Sequence, residues 1–283
     1  MKPYLLFPSF FRPIGIVLAL VGFVFGYIYM FPEKVSIFVD HGSGNFTDEF
    51  GTTFEVLGLV FIGFSRLKNE NEQSSRLRLK ALYWAVLTDF LLLFGWLVLQ
   101  LIDAWLKTGL SYPLHRLDNY NLFIILFIFL GRFYYLLYIA KEKKKESLLS
   151  LLPYKPYLLI VKIVCTLFFI LIWASIQFSA IDEQIKRILP DTAFILFPVC
   201  LLIWIWSKEK NETIDIEKVR LKAMHIAVYI NYFVFLIATW VIYGFAYLEV
   251  LFVGLFSTPI IFLAVFYLPL PAAKTEQIET THL

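Results

Sequence analysis

The chain is short of charge. Only 17% of its 283 residues are Asp, Glu, Lys or Arg, where a soluble domain carries about 25%. A compact soluble domain covers its core with polar groups, and this chain has too few to do so. Cysteine is nearly absent. Cys165 and Cys200 both lie inside apolar runs, which supports neither a disulfide framework nor a thiolate metal site. His41, His115, His225 and His282 are scattered, with no pair spaced to hold a haem or a metal. A Gly-rich phosphate loop, Gly-x-Ser-x-Gly and His-Glu-x-x-His are all missing, so nothing marks an enzyme and no cofactor or metal is expected. Nor is there a soluble domain to carry nucleic-acid recognition.

What is abundant is apolar surface. Hydrophobic residues make up 60% of the chain, and 30 of the residues are Phe. Pro13 to Phe31, Thr192 to Trp206, Ala223 to Tyr247 and Val250 to Leu270 are free of charge. A bilayer core of about 30 Å takes roughly 17–25 helical residues, so most of these runs suffice; Thr192–Trp206 is short and needs tilt, flanking residues or local thinning. Barrel strands alternate over about ten residues, whereas these runs are continuous and read as helices. The first run is too long for a signal-peptide core and has no small-residue cleavage site after it, so it is expected to remain as an anchor.

The pattern predicts an all-α polytopic transmembrane bundle of about eight spans. They fall near 13–31, 47–64, 81–102, 121–140, 157–177, 190–206, 223–245 and 248–269, the second interrupted by Glu55. Basic loops at 65–80, 141–155 and 207–222 alternate with mixed or acidic loops. With Lys2, Arg12 and Lys274, the basic side carries eighteen Lys and Arg against five on the other. Through the positive-inside rule this bias puts both termini and the three basic loops in the cytoplasm.

One basic loop is nearly a copy of another. Ser65–Ala81 (SRLKNENEQSSRLRLKA) aligned without gaps on Ser207–Ala223 (SKEKNETIDIEKVRLKA) gives eight identities in seventeen positions at an offset of 142. The register continues into the next span, where Asp89 falls on Asn231. We therefore expect two parallel four-helix repeats, 1–146 and 147–271, followed by a polar cytoplasmic tail, 272–283.

The segment SKEKNETIDIEKVRLKAMHIAVYINYFVFLIATWVIYGFAYLEV resembles the second half of a group of four-span membrane proteins common in Bacteroidota. The opening LLFPSFFRPIGIVLALVGFVFGYIYMF and the segment FTDEFGTTFEVLGLVFIGFSRLKNENEQSSRLRLKALYWAV are similar to its start. The chain departs from that group in holding two copies. It also has Asn71-Glu72-Gln73 and Thr213-Ile214-Asp215 where related loops have an acidic Asp-Glu-Arg-like core. The resemblance implies a fold and an address, the bacterial cytoplasmic (inner) membrane, but no reaction.

Polar groups inside the spans are the default pointers to function. Asp89, Arg132 and Glu55 each lie nine or ten residues from a loop, which at 1.5 Å per residue is roughly 13–15 Å deep. A charge there costs about 2.5–3.5 kcal/mol. Asp89 paired with Arg132 would recover part of that, either as a structural pair fixing helix register or as part of an ion or ligand site with Glu55. The second copy has Asn231 and Phe197 at the positions matching Asp89 and Glu55. Lys162 and His225 sit near the cytoplasmic edge, within reach of water. Lys141-Glu142-Lys143-Lys144-Lys145 either binds anionic membrane lipid or only fixes topology.

The two related loops carry the leading expectation, a scaffold or regulatory protein that holds a protein partner. Each loop should run unbroken into the next span, because no Gly or Pro intervenes. Ile216, Val219 and Ala223 follow helical spacing, and Leu77 and Ala81 continue the stripe in the first copy. The stripe needs cover, from a partner or from neighbouring loops. A small transporter or channel built on the intramembrane Asp, Arg and Glu is the rival expectation.

Overall fold

A computed structural model describes residues 5–30, 39–40, 44–107, 117–139, 149–177, 197, 199–242 and 245–268. Among these residues the fold is helical, apart from a minimal pairing of Val39–Asp40 with Gly44–Asn45. The helices are α1 (Phe11–Met30), α2 (Thr47–Phe64), α3 (Glu72–Leu106), α4 (Leu117–Tyr134), α5 (Leu159–Gln177), α6 (199–206), α7 (Ile214–Val241) and α8 (Phe245–Tyr267). Eight helices were expected, close to these places. The lysine cluster at 141–145, the loop at 179–190 and the tail lie outside the described residues.

Phe11–Ile28, Glu72–Gln100 and Ile214–Val241 are long and apolar enough to cross a membrane. At 1.5 Å per residue, the 35 residues of α3 reach about 50 Å, well beyond a core of about 30 Å. The surplus lies at the polar start, where Glu72 to Lys80 precede the apolar run without a break. The 28 residues of α7 begin in the same way at Ile214. Both loops thus run straight into the apolar part of the helix that follows, as the missing Gly and Pro predict.

Local chemistry fits the helices. Pro13 falls in the first turn of α1, where a backbone N–H has no helical partner to lose. Asp48 and Glu49 open α2 at its positive dipole end. Pro259 sits inside α8 and removes one helical hydrogen bond there. Beyond Tyr134, α4 widens into a π-helical turn over Tyr135–Ile139.

The chain forms two compact units. Unit 1 gathers Met1–Ala85, Asp118–Lys145 and Val228–Leu255; unit 2 gathers Val86–Leu117, Glu146–Ala227 and Phe256–Leu283. This division differs from the two sequence halves, because each unit takes a segment of the other half. Helix α3 changes unit after Ala85 and α7 after Ala227, positions 142 apart in the chain.

In unit 1, α1 and α2 pack through small residues. A Cβ on Gly22 would lie 2.5 Å from the Glu55 nitrogen, and one on Gly15 would lie 2.7 Å from the Gly58 carbonyl oxygen. Gly15, Ala19 and Gly22 follow helical spacing, so the two backbones approach without side chains between them. The core of the unit is aromatic. Phe64 stacks on Phe129 at 5.1 Å and meets Tyr229 at 4.8 Å. Phe50 meets Trp240 edge-on at 5.0 Å, and the indole N–H of Trp240 donates to the Thr53 hydroxyl at 2.9 Å. In unit 2, Val161, Cys165 and Cys200 are buried together against Val164, Ile203 and Trp204. Both cysteines are free thiols.

Candidate functional site: two buried arginine clamps

The repeated loops fold around one arginine each. In unit 1 the Ser65 backbone turns extended where α2 ends. The chain then returns through a short turn in which the Leu67 N–H donates to Glu70 Oε2 at 2.9 Å. Asn71 and Ser74 cap α3 reciprocally. The Ser74 N–H donates to Asn71 Oδ1 at 2.7 Å, and the Asn71 N–H donates to Ser74 Oγ at 3.0 Å. One turn later Arg78 reaches back. Its Nη2 donates to Glu70 Oε2 and its Nη1 to the Ser65 carbonyl, both at 2.8 Å. Its guanidinium lies 4.9 Å from the ring centroid of Phe133 at the end of α4. Arg78 is 1% exposed, so the charge is held by the pair, the carbonyl and the ring face, not by water.

Unit 2 repeats this at an offset of 142. The Glu209 N–H donates to Glu212 Oε2 at 2.9 Å, and Thr213 Oγ1 accepts from the Ile216 N–H at 3.3 Å where Asn71 stands in the first loop. Arg220, also 1% exposed, donates to Glu212 through Nη2 at 2.9 Å and Nε at 3.2 Å, and through Nη1 to the Ile205 carbonyl at 3.1 Å. Its guanidinium lies 4.9 Å from the Phe266 ring centroid. The carboxylate is held by two guanidinium nitrogens here, against one in unit 1.

A segment near the start of each copy closes each loop. The Phe7 N–H donates to the Phe64 carbonyl at 2.9 Å, and the Arg66 N–H donates to the Phe7 carbonyl at 3.0 Å. Leu152 does the same with Trp206 and Lys208, at 2.9 and 2.8 Å. A proline, Pro8 or Pro153, follows each of these residues. A second cation then covers the tyrosine beside each clamp phenylalanine. Arg12 lies 5.1 Å from the Tyr134 ring centroid, and Lys162 Nζ lies 4.8 Å from that of Tyr267. Tyr267 also donates to Glu209 Oε1 and accepts from the Trp204 indole N–H at 3.0 Å.

These clamps were not anticipated from the sequence. The signal was present, since Glu70 and Glu212, and Arg78 and Arg220, are identities within the aligned loops. The aromatic partners are harder to find, because Phe133-Tyr134 and Phe266-Tyr267 are 133 residues apart, not 142.

The intramembrane candidates fall as follows. Glu55 is half-buried in unit 1, its backbone against Gly22. Arg132, also of unit 1, is exposed, its guanidinium 5.3 Å from the Trp84 ring centroid. Asp89 is fully buried in unit 2, and Asn231 is buried in unit 1. His225 is 1% exposed and so is not at a water-accessible edge. The apolar stripe is uneven. Val219 is 46% exposed and Ile216 half-buried, but Ala223, Leu77 and Ala81 are buried. In the first copy the corresponding stripe is therefore already covered.

No known protein family, curated protein or solved structure matches the chain.

Proposed function

We propose that the chain is a multi-pass membrane protein of the bacterial inner membrane, acting as a scaffold or regulator through its two cytoplasmic loops. In this reading eight spans form two parallel four-helix repeats that arose by duplication, akin to the four-span group of Bacteroidota. The observation that carries it is a buried arginine clamp built twice, each time on the matched Arg and Glu of the aligned loops, at the start of the two longest described helices. A buried ion pair with its ring and carbonyl contributes shape more than stability. Two loops held this way give fixed surfaces, and beside the clamp in unit 2 two apolar side chains stand out from that surface, Ile214 at 47% and Val219 at 46% exposure.

The reading is tested by capture from native membranes. Ile216→Asp with Val219→Asp should abolish recovery of a specific protein while the chain still inserts. Recovery unchanged by both substitutions would remove the main support. A second reading, a small transporter or channel, rests on Asp89 and Asn231, which are buried at matching positions of α3 and α7. It requires that Asp89→Asn changes ion or proton flux in reconstituted vesicles.

A further inference from the structure

One end of unit 1 holds a cleft of about 660 Å³ between the chain entering α1, the loop after α2 and the π-helical turn after α4. Among the described residues three cations line it, Arg12, Arg66 and Lys68, together with the polar Ser9 and Asn69. Among the described residues no acidic residue lines it, and no carboxylate pairs with any of the three. Arg66 and Lys68 are exposed, and Arg12 is half-buried against Tyr134. Three like charges round one cleft repel each other, and an anion between them relieves this.

The other described residues of the wall are apolar or aromatic. Phe10 and Tyr138 are 59% and 61% exposed at the cleft, and Leu137 completes that side. Below Phe10, the exposed Ile14, Val17 and Val24 continue at helical spacing along α1. A basic cleft thus opens directly onto an apolar helix face. A free inorganic anion would use only the first. A phospholipid uses both, with its phosphate among the cations and its acyl chains along α1.

We propose that this cleft binds the headgroup phosphate of an anionic phospholipid. Its charge matches the side that the positive-inside bias places in the cytoplasm, where anionic headgroups attract cations. The inference rests on the membrane reading and is independent of any protein partner at the loops.

The test is lipid retention by the intact protein in detergent, read by native mass spectrometry with phosphatidylglycerol, phosphatidylcholine and inorganic phosphate as probes. The protein should retain phosphatidylglycerol in preference to phosphatidylcholine, and inorganic phosphate should not displace it. Arg66→Gln with Lys68→Gln, both at exposed positions, should weaken retention about 30-fold, at about 1 kcal/mol per cation. The matched loss of charge in the other loop, Lys208→Gln with Lys210→Gln, should leave it unchanged. Equal weakening by both pairs, equal retention of the two lipids, or displacement by inorganic phosphate would each overturn the proposal. Such a failure leaves capture through Ile216 and Val219 untouched, so the two readings fail separately.

Discussion

Arg78 and Glu70 meet at 2.8 Å with 1% and 7% of their side chains exposed, and Arg220 and Glu212 meet at 2.9 Å with 2% and 9% exposed. Taking one partner away leaves a buried charge, which costs about 3–5 kcal/mol. Arg78→Met and Glu70→Leu alone should each lower stability strongly, and the double variant should lose less than the two singles combined. Unfolding of the four members of the cycle in detergent measures this. Additive losses would mean that the pair is not coupled. Coupling should be larger for Arg220 and Glu212, where two guanidinium nitrogens hold the carboxylate.

The α1–α2 crossing gives a sharper structural test, because two of its glycines should respond in opposite ways. Gly22→Ala places a Cβ 2.5 Å from the Glu55 nitrogen, so the helices must separate, at about 1–3 kcal/mol. A Cβ on Gly26 meets nothing within 4 Å among the described residues, so Gly26→Ala should be neutral or stabilising by up to about 1 kcal/mol. Thermal unfolding of the two variants compares them directly. Equal losses would contradict the observed packing.

Topology is best probed at exposed loop positions. Ser74 is buried, whereas Gln73 and Lys218 are exposed. A cysteine at either exposed position should resist an impermeant thiol reagent in intact cells and react in inverted vesicles. Labelling from outside would reverse the orientation drawn from the charge bias.

The helices were legible because each long apolar run can only be buried in lipid or protein, and because Gly and Pro are missing where the loops enter α3 and α7. The aligned loops located the site, and the identities Glu70/Glu212 and Arg78/Arg220 contained its chemistry. What stayed hidden is tertiary. The partners of Arg78 are Glu70 across a turn, the Ser65 carbonyl and Phe133 of α4, and no local pattern joins these three. Charge counting reads Arg78 and Arg220 as topogenic surface residues, yet both are buried. The same limit explains the stripe: Leu77 and Val219 share a register position but not an environment, at 8% and 46% exposure. The pairing of Asp89 with Arg132, expected from their matched depth and from the cost of leaving either charge alone, is tested by Asp89→Asn and Arg132→Met, whose double variant should lose less than the two singles summed.

That difference between Leu77 and Val219 gives the most direct measurement of the loop reading. A photocrosslinking amino acid is placed at either position and activated in native membranes. At Val219 it should join the chain to one specific protein, and the product should vanish when Ile216→Asp is added. At Leu77, where the side chain is covered, it should yield only crosslinks within the chain. Products at Val219 confined to lipid or to the chain itself would contradict a partner surface on this loop.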